Sequence, residues 1–482
     1  MKKIFKLFIN ENIKTWKKLS TKILIILVLL ALVGTFALVQ VMKKVEENVQ
    51  VNISTYDWRE DIKSQLEHYT KQLEQENLDE ETKKSIEIQK ERCQLSLDYD
   101  ISPYGTNWKA NLLDEIVEIR VQQQISKETQ ALENEIQKLL QIIKNDNFEE
   151  YIGIEKENLK LQLDEKEITQ PEYDDQLLIL DLKVKYSIGK TEDEEYWKRT
   201  MLYNIESAQK SIRTGIDEAT NKVLTVEKKE EYEELIIMSI YRLENNLPSI
   251  EYTNSYRTMF EALAPAFVSA TIAIAAIIIA GGAISSEVST GTIKFWALTP
   301  NRRWKIMTAK ILSILFYILV LTLIISLLTT LFSNIFFEEQ AESYIYVKDG
   351  KIETINNTLY LIAMYFAKMI PVILFTLLAL MLSTLTRNTA VAVSFSMALY
   401  MGNGIAMTII NQFIKKDWIR YIPFNNLNIA DKIFPNAYNP ISLGGETFAT
   451  STSLEFSLVI ISVCAILMLV TLYDSFNKRD II

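Results

Sequence analysis

The chain has 482 residues and a net charge of −10, with one histidine and two cysteines. Between residues 43 and 257 the net charge is −18, whereas the rest of the chain carries +8. No basic patch interleaved with aromatic residues occurs, so a nucleic-acid partner is not expected. His68 alone cannot supply a histidine-rich zinc site or a convincing catalytic triad. Cys93 falls in the acidic segment and Cys464 in an apolar one, so no disulfide framework is predicted.

The N-terminal 22 residues carry seven lysines and one acid. Phe5, Ile9 and Ile13 recur at intervals of four and share one helical face, and most of the lysines fall on the opposite face. This pattern predicts an amphipathic helix over residues 1–22 that lies in the membrane interface on the cytoplasmic side. The alternative is an ordinary basic flank without a defined helix.

Six long apolar segments follow along the chain. A helix needs roughly 20 residues to cross the hydrocarbon core, and these segments reach or approach that length. They cover residues 23–42, 259–286, 311–337, 358–385, 389–414 and 456–472. The first run lacks a small-residue cleavage site, so we interpret it as a retained span. We therefore expect an all-α membrane protein with six transmembrane helices.

Residues 43–257 are predicted to form an extracellular, mainly helical, acidic domain. Their glycine and proline content is low, and a segment of this length can bury its own core. Asp79 is placed to cap a helix, and the apolar run 176–188 favours a strand. A helical seam is predicted from the spacing of Leu132, Ile136, Leu139 and Ile143.

Residues 258–482 hold the remaining five spans, so six crossings return the C-terminus to the side of the N-terminus. The predicted inside segments carry about fifteen lysines and arginines, against six in the short outside loops, as the positive-inside rule requires. The outer loop 415–454 is aromatic and rich in turn residues, which predicts a re-entrant-like segment. We expect a multi-pass protein of a bacterial plasma membrane with both termini cytoplasmic.

The loop 287–310, between the second and third spans, is more complex than a simple connection. A loop that only obeys the positive-inside rule explains its basic residues but not its acid, its Gly-Thr pair or its proline. The residues that set it apart are Glu287, Gly291, Thr292, Pro300, Arg302 and Arg303. The pattern Glu-x-x-x-Gly-Thr-Ile-Lys, then Leu-Thr-Pro-x-Arg-Arg, then Lys310, resembles the cytoplasmic coupling region of ABC-2-type transporter permeases.

This resemblance covers residues 1–42 and 258–482 and implies a function. The chain would be the permease subunit of an ATP-binding cassette exporter, with a second permease copy, two cytoplasmic ATPase subunits and membrane lipids as partners. Its cargo would be a lipid, an antimicrobial peptide or a hydrophobic compound. ABC-2 permeases commonly have only a short loop after the first span, so the acidic domain departs from the minimal pattern.

The chain itself is not expected to be an enzyme. Gly189 and Lys190 superficially match a phosphate loop, but Val184 stands where the motif needs its first glycine. ATP would therefore be bound by the partner subunit, and no catalytic, cofactor or metal site is predicted here. In the coupling loop, Ser289 or Thr290 is expected to cap a short helix, which Pro300 ends.

Two ionisable residues lie within the predicted spans. Intramembrane charges are costly and usually face a bundle interior or a cavity. We predict that Glu261 and Lys368 line a translocation path together with Asn403 and Asn411. The alternative for Lys368 is that it snorkels or forms a structural ion pair.

A different class of function also fits the sequence. The protein would be a cell-surface receptor or a cell-wall scaffold whose extracellular helical domain binds a partner. Its membrane part would then only anchor and dimerise the chain. The coupling pattern in residues 287–310 argues for transport, because a passive anchor has no need of it.

Overall fold

The computed structural model describes eleven stretches of the chain, from residue 2 to residue 478. They are residues 2–53, 57–74, 78–102, 107–124, 129–190, 196–248, 255–294, 301–338, 343–414, 416–435 and 452–478. The chain divides into two compact units. The membrane unit comprises Met1–Glu47, Asn254–Tyr346 and Thr354–Ile482, and the helical domain comprises Asn48–Thr253 and Val347–Glu353.

The regular structure of the described residues is almost entirely helical. In chain order the helices are α1 (Lys2–Lys17), α2 (Leu19–Ile53), α3 (Trp58–Leu73), α4 (Glu80–Asp98), α5 (Trp108–Gln123), α6 (Thr129–Lys144), α7 (Phe148–Asp164), α8 (Gln170–Tyr186), α9 (Tyr196–Thr214), α10 (Val226–Glu244), α11 (Tyr256–Ser289), α12 (Arg303–Phe336), α13 (Asn357–Thr386), α14 (Thr389–Phe413), α15 (Ile429–Ile433) and α16 (Leu454–Lys478). The strands are β1 (Ile216–Asp217), β2 (Lys222–Val223), β3 (Tyr344–Lys348) and β4 (Lys351–Ile355). The predicted all-α class is confirmed.

Six helices of the described residues are long and apolar enough to cross a membrane. They are α2, α11, α12, α13, α14 and α16. Each covers one of the six predicted apolar runs to within one residue at its C-terminal end, so the prediction of six membrane-crossing helices is confirmed by length and composition. Several extend beyond the apolar run, and α11 and α12 each reach 34 residues. The chain is a membrane protein.

The core of the membrane unit lies around α11 and α13, which pack along each other. Small residues on α11, among them Ala273 and Ala276, are fully buried. Small side chains let helix backbones approach closely. The packing is also tight at Gly281, where an added Cβ would lie 2.6 Å from Cγ2 of Val393 on α14.

Replacing Gly281 by alanine should therefore destabilise the membrane unit by about 1–3 kcal/mol, the usual cost of overpacking. Val393 is β-branched and cannot swing its methyl group away easily. The control is Gly282→Ala, whose Cβ would meet its nearest neighbour, Thr389, at 3.9 Å. Thermal unfolding in detergent measures both variants, and equal melting temperatures would contradict the packing described for Gly281.

The helical domain is a chain of neighbouring helices. In the order of the sequence, α3 packs on α4, α4 on α5, α5 on α6, α7 on α8, α8 on α9 and α9 on α10. One hydrophobic core includes Trp108, Ile136 and Leu139, and a second includes Trp197 and Ile205. The predicted seam on α6 is thereby confirmed, because its apolar residues face the first core.

Two other sequence predictions in this domain have opposite outcomes. Asp79 caps α4, since its carboxylate accepts a hydrogen bond from Thr82 N at 2.7 Å, as predicted. The strand over 176–188 was wrong, because these residues belong mostly to α8. Pro171 at the first turn of α8 favours a helix start. The apolar residues of α8 then divide between two cores, which gives a continuous apolar run without strand alternation.

Between α14 and α16 the described chain forms two 3-10 helices, Asp417–Tyr421 and Pro423–Asn426, and then α15. The short helix α15 packs on α13, and Lys368 Nζ lies 4.0 Å from the carboxylate of Asp431. Lys368 is about 16 Å along α13 from its first residue, at 1.5 Å per residue. The α15 segment therefore lies beside a span rather than beyond its end. The re-entrant-like segment over 415–454 stays a prediction, with residues 436–451 outside the described residues.

Candidate functional site

The chain leaves α11 through a tight turn at the start of the loop 287–310. Ser289 Oγ and Thr290 Oγ1 both donate to the carbonyl oxygen of Ser286, at 3.0 and 2.8 Å. They therefore close α11, and the prediction that one of them begins a new helix was wrong. Pro300, the predicted end of that helix, lies with residues 295–299 outside the described residues.

Gly291 makes this turn. Its φ of +73° is in the left-handed region that glycine adopts without a Cβ clash. The Gly291 amide donates to Val288 O at 3.1 Å, and the Ile293 amide reaches back to Glu287 O at 3.0 Å. The Thr292 hydroxyl donates to the same Glu287 carbonyl at 3.3 Å. The Gly-Thr pair thus fastens the turn to the last residues of α11.

A charge cluster lies beside this turn, formed by Glu11, Lys14, Glu287 and Lys310. Lys310, on α12, is only 3 % exposed, and its Nζ donates to Glu11 Oε2 at 2.8 Å and to Glu287 Oε1 at 2.9 Å. Lys14 Nζ lies 3.0 Å from Glu11 and 3.8 Å from Glu287. The charge cluster therefore joins α1, the end of α11 and the start of α12.

Glu11 and Lys14 hold each other in their charged forms. Burial on its own would raise the pKa of Glu11, but the charges of Lys310 and Lys14 outweigh it and lower that pKa. Burial would likewise lower the pKa of Lys14, but the carboxylates of Glu11 and Glu287 raise it above its ordinary value. Opposite charges at this distance favour the ionised form of each partner.

The two predicted arginines lie near the other end of the loop. Arg302 immediately precedes α12, and its side chain is exposed. Arg303 begins α12 and donates from Nη1 to Asn477 O at 3.2 Å, near the end of α16. One turn later, the hydroxyls of Thr308 and Tyr473 are 2.8 Å apart. The start of α12 is thus attached to α16 as well as to α1 and α11.

Glu261, the first predicted path residue, lies in a buried network at the other end of α11. Its carboxylate accepts from Arg257 Nε at 3.0 Å and from Asn357 Nδ2 at 2.8 Å, and Ser333 Oγ also donates to it. Arg257 in turn donates to Asn334. This network ties together α11, α12 and the beginning of α13.

The other predicted path residues have separate partners. Lys368 pairs with Asp431, Asn403 donates to the Tyr400 carbonyl of its own helix, and Asn411 exchanges hydrogen bonds with Asn425 at 3.1 and 3.3 Å. In the part of the chain that the structure describes, no hydrogen bond or ion pair connects these residues to one another or to Glu261. Their role in a translocation path stays a prediction.

The helical domain contains a cleft of about 800 Å³ whose lining residues come mainly from α5, α7, α8 and α9. Its lining combines acids, bases and amides, and the amides are Asn111, Asn158, Gln162, Gln176 and Gln209. The buried Oε1 of Gln209 has no hydrogen-bond partner among the described residues. A volume of this size is in the range of small-molecule sites.

Comparison with known proteins places the chain in a family. A family described as "Protein of unknown function (DUF2705)" matches residues 230–482, more than half of the chain. The chain belongs to the DUF2705 family. It is 30 % identical over 257 residues to "Uncharacterized protein YhcI" of Bacillus subtilis (strain 168), covering 52 % of this chain and 77 % of that protein.

A second relative from the same organism also matches this DUF2705 protein. It is "Uncharacterized membrane protein YdbK", 29 % identical over 248 residues, which cover 51 % of this chain and 87 % of the relative. No solved structure matches. Of the charge cluster, Glu287 and Lys310 lie in the DUF2705 region, whereas Glu11 and Lys14 lie outside it.

Three members of the charge cluster were not predicted as site residues. Glu11 is the single acid among the 22 N-terminal residues, which is a signal that the sequence does carry. Lys310 is a charge inside α12 that precedes a long uncharged run. Lys14 was assigned only to the polar face of the N-terminal helix. Their meeting with Glu287 depends on how α1 packs against α12.

The charge cluster should make α1 docking sensitive to acid. Because the pKa of Glu11 is lowered in the folded protein, its stabilising contribution is complete above the ordinary value of 4.5 and is lost as the pH falls through the lower folded value. The stability difference between the wild type and Glu11→Gln should therefore be constant above pH 4.5 and shrink below it. Chemical unfolding in detergent from pH 7 to pH 3 measures this difference. A difference that grows towards acid pH would contradict the assignment.

Proposed function

We propose that this DUF2705 protein is the membrane-spanning permease subunit of an ATP-binding cassette exporter of the ABC-2 type. ATP hydrolysis would take place in a separate cytoplasmic ATPase subunit. The observation that carries the proposal is that Lys310 joins three helices, α1, α11 and α12, where the loop 287–310 leaves α11 and enters α12. A loop anchored in this way can transmit a displacement, which a loose connection cannot.

The proposed mechanism follows from the exposure of residues around the loop and the burial of Lys310. Thr292, Lys294 and Arg302 are exposed around the loop and are available to a partner. Lys310, at the end of the loop, is buried and bonded to α1 and α11. A push by the ATPase on the exposed residues would therefore move α1 and the ends of α11 and α12 together, and rock the spans between inward-open and outward-open states.

A second permease copy has a suitable surface on α14. Small residues recur there at every fourth position, and each is exposed or half-buried in the single chain. They are Ser394, Ala398, Gly402 and Ala406. A Cβ added to Gly402 would have no neighbour within 4 Å in the single chain. Small-xxx-small patterns of this kind support close helix association in membranes. We infer that two copies assemble with two ATPase subunits.

In this proposal both termini and the loop 287–310 are cytoplasmic, and the helical domain is extracellular. The host is a bacterium and the site is its plasma membrane. The cargo classes that fit an exporter with long apolar helices are a lipid, an antimicrobial peptide or a hydrophobic compound. Glu261, Lys368, Asn403 and Asn411 remain the proposed path residues.

Affinity purification with an ABC ATPase encoded beside this gene tests the proposed partner. We expect the ATPase to copurify with the wild type and to be lost with Arg302→Glu, which reverses an exposed charge on the loop. The matched control is Arg420→Glu, an exposed arginine in the segment between α14 and α16. Failure of any ATPase to copurify, or equal loss with both variants, would contradict the proposal.

The receptor or scaffold function is favoured by one observation, the cleft in the helical domain. Its amides can recognise polar ligands, and its volume suits a small ligand. This second function requires no ATPase partner. It would be preferred if the protein purified without an ATPase, whereas a stable complex with an ATPase that hydrolyses ATP faster in its presence would reject it.

A further inference from the structure

A cavity of about 600 Å³ opens beside the charge cluster, between α1, the end of α11 and the start of α12. The charge cluster forms one wall. Lys17 and Lys18 line the cavity from the α1 side, and both side chains are exposed. With Lys14 and Lys310 against Glu11 and Glu287, the lining has an excess of two positive charges.

Two residues that line the cavity each carry a polar atom without a partner in the described part of the chain. Glu287 Oε2 and Ser313 Oγ are buried and have no hydrogen-bond partner among the described residues. Ser313 is only 2 % exposed. Buried polar groups are nearly always hydrogen-bonded, so such atoms in a cavity wall require an explanation. An ionised carboxylate only accepts hydrogen bonds, so the missing group at Glu287 is a donor.

The ligand must therefore combine an anionic group for the lysines with hydrogen-bond donors for Glu287 and Ser313. A phosphodiester with free hydroxyls on its alcohol has this combination. Phosphate groups attract ammonium groups strongly, and each hydroxyl can donate to a carboxylate or to a serine oxygen. A bare phosphate monoester has the charge but lacks the carbon-bound hydroxyls.

The surroundings favour a lipid as the source of this group. Phe5, Ile9 and Ile13 of α1 are 63, 40 and 47 % exposed, so the helix that bears the lysines presents an apolar face. Such a helix lies at the boundary between headgroups and acyl chains. Helices α1 and α12, which both border the cavity, also form an apolar groove of about 440 Å³. Its lining residues include Phe8 and Phe316. A phospholipid fits both environments, because its charged headgroup suits the cavity and its acyl chains suit the apolar groove.

We propose that the cavity beside the charge cluster binds the headgroup of an anionic phospholipid that bears free hydroxyls. The phosphate is held by Lys17 and Lys18, and the headgroup hydroxyls satisfy Glu287 Oε2 and Ser313 Oγ. The site does not depend on the exporter function, because it needs neither an ATPase nor a cargo. It makes the position of α1 sensitive to the lipid composition of the membrane.

Native mass spectrometry of the full-length protein in detergent, titrated with dioctanoyl phosphatidylglycerol, tests this site. We expect one tightly bound lipid, with roughly 10- to 30-fold weaker binding in the double variant Lys17→Gln/Lys18→Gln. The matched control is Lys3→Gln/Lys6→Gln, which removes the same charge from exposed positions of α1 that do not line the cavity. The control should change the affinity by less than about twofold.

Two further arms examine the headgroup itself. Ser313→Ala should weaken phosphatidylglycerol binding roughly fivefold, and dioctanoyl phosphatidic acid, which lacks the hydroxyls, should bind the wild type more weakly than phosphatidylglycerol does. If the two double lysine variants lose the same amount of affinity for the lipid, the attraction is a nonspecific effect of charge, and the proposed site is overturned. Equal affinity for phosphatidic acid, or displacement of the lipid by inorganic phosphate at the same concentration, would also overturn it.

Discussion

Replacing Lys310 by methionine should cost about 3–5 kcal/mol of folding free energy, the usual loss when one partner of a buried ion pair is removed. Methionine fills a similar volume but leaves Glu11 and Glu287 facing each other without the ammonium that lies 2.8 and 2.9 Å from them. Among the described residues, the remaining ion-pair partner of the two carboxylates would be Lys14, whose side chain is 54 % exposed. Reversible unfolding in detergent, with α1 docking followed by Trp16 fluorescence, measures the loss.

The control for Lys310 is Lys478→Met. Lys478 is 77 % exposed and pairs with Asp474, so its removal should cost little. The double variant Lys310→Met/Glu287→Gln should recover part of the loss, because one of the two unpaired charges is neutralised. A Lys310→Met protein as stable as the wild type would show that the charge cluster does not hold α1 in place.

Replacing Glu261 by alanine should be about as costly, again about 3–5 kcal/mol, because it removes the acceptor of a buried arginine. Arg257 would lose its carboxylate at 3.0 Å, and Asn357 and Ser333 would each lose an acceptor. Since these groups belong to α11, α12 and α13, the three spans should loosen together. Thermal unfolding in detergent measures the loss.

Two comparisons make the Glu261 result specific. Glu261→Gln keeps the shape and one acceptor, so its loss should be smaller than that of Glu261→Ala. Glu455→Ala removes an exposed acid at the start of α16 and should leave the melting temperature unchanged. If Glu261→Ala melts like the wild type, the network does not stabilise the membrane unit, and a role of Glu261 in transport would gain weight.

The spans could be predicted from the sequence because a membrane imposes a simple rule. A helix that crosses a membrane must be predominantly apolar where it passes the hydrocarbon core, and this leaves long runs with few charges in the sequence. Local hydrogen bonds could also be predicted from the sequence, as the capping of α4 by Asp79 shows. Short-range signals of this kind need no knowledge of the tertiary fold.

Other features depend on contacts that the sequence does not contain. The apolar residues of α8 serve two cores, so their run resembles a strand in sequence but is helical in the structure. Lys310 meets Glu11 across 299 positions, a pairing that no spacing rule supplies. The β3–β4 hairpin, by contrast, could have been found, because Asp349 and Gly350 are a strong hairpin signal and both adopt positive φ.

The turn at the end of α11 combines a feature that the local sequence predicts with one that it does not. The need for Gly291 is local, because its φ of +73° can be anticipated from a glycine at a helix end. The direction of the Ser289 and Thr290 hydroxyls was misjudged, because serine and threonine can close a helix as well as begin one. Only the path of α11 decides between these roles.

The ATP turnover of the partner ATPase, measured after reconstitution with this protein, tests whether the loop 287–310 transmits ATP-driven motion. Gly291→Pro removes the amide that bonds to Val288 O and cannot adopt a φ of +73°, whereas asparagine tolerates that conformation. We expect the Gly291→Pro protein to assemble with the ATPase but to lower its turnover to that of the ATPase alone, whereas Gly291→Asn should retain most of the stimulation. Full stimulation by an assembled Gly291→Pro complex would contradict this role of the loop.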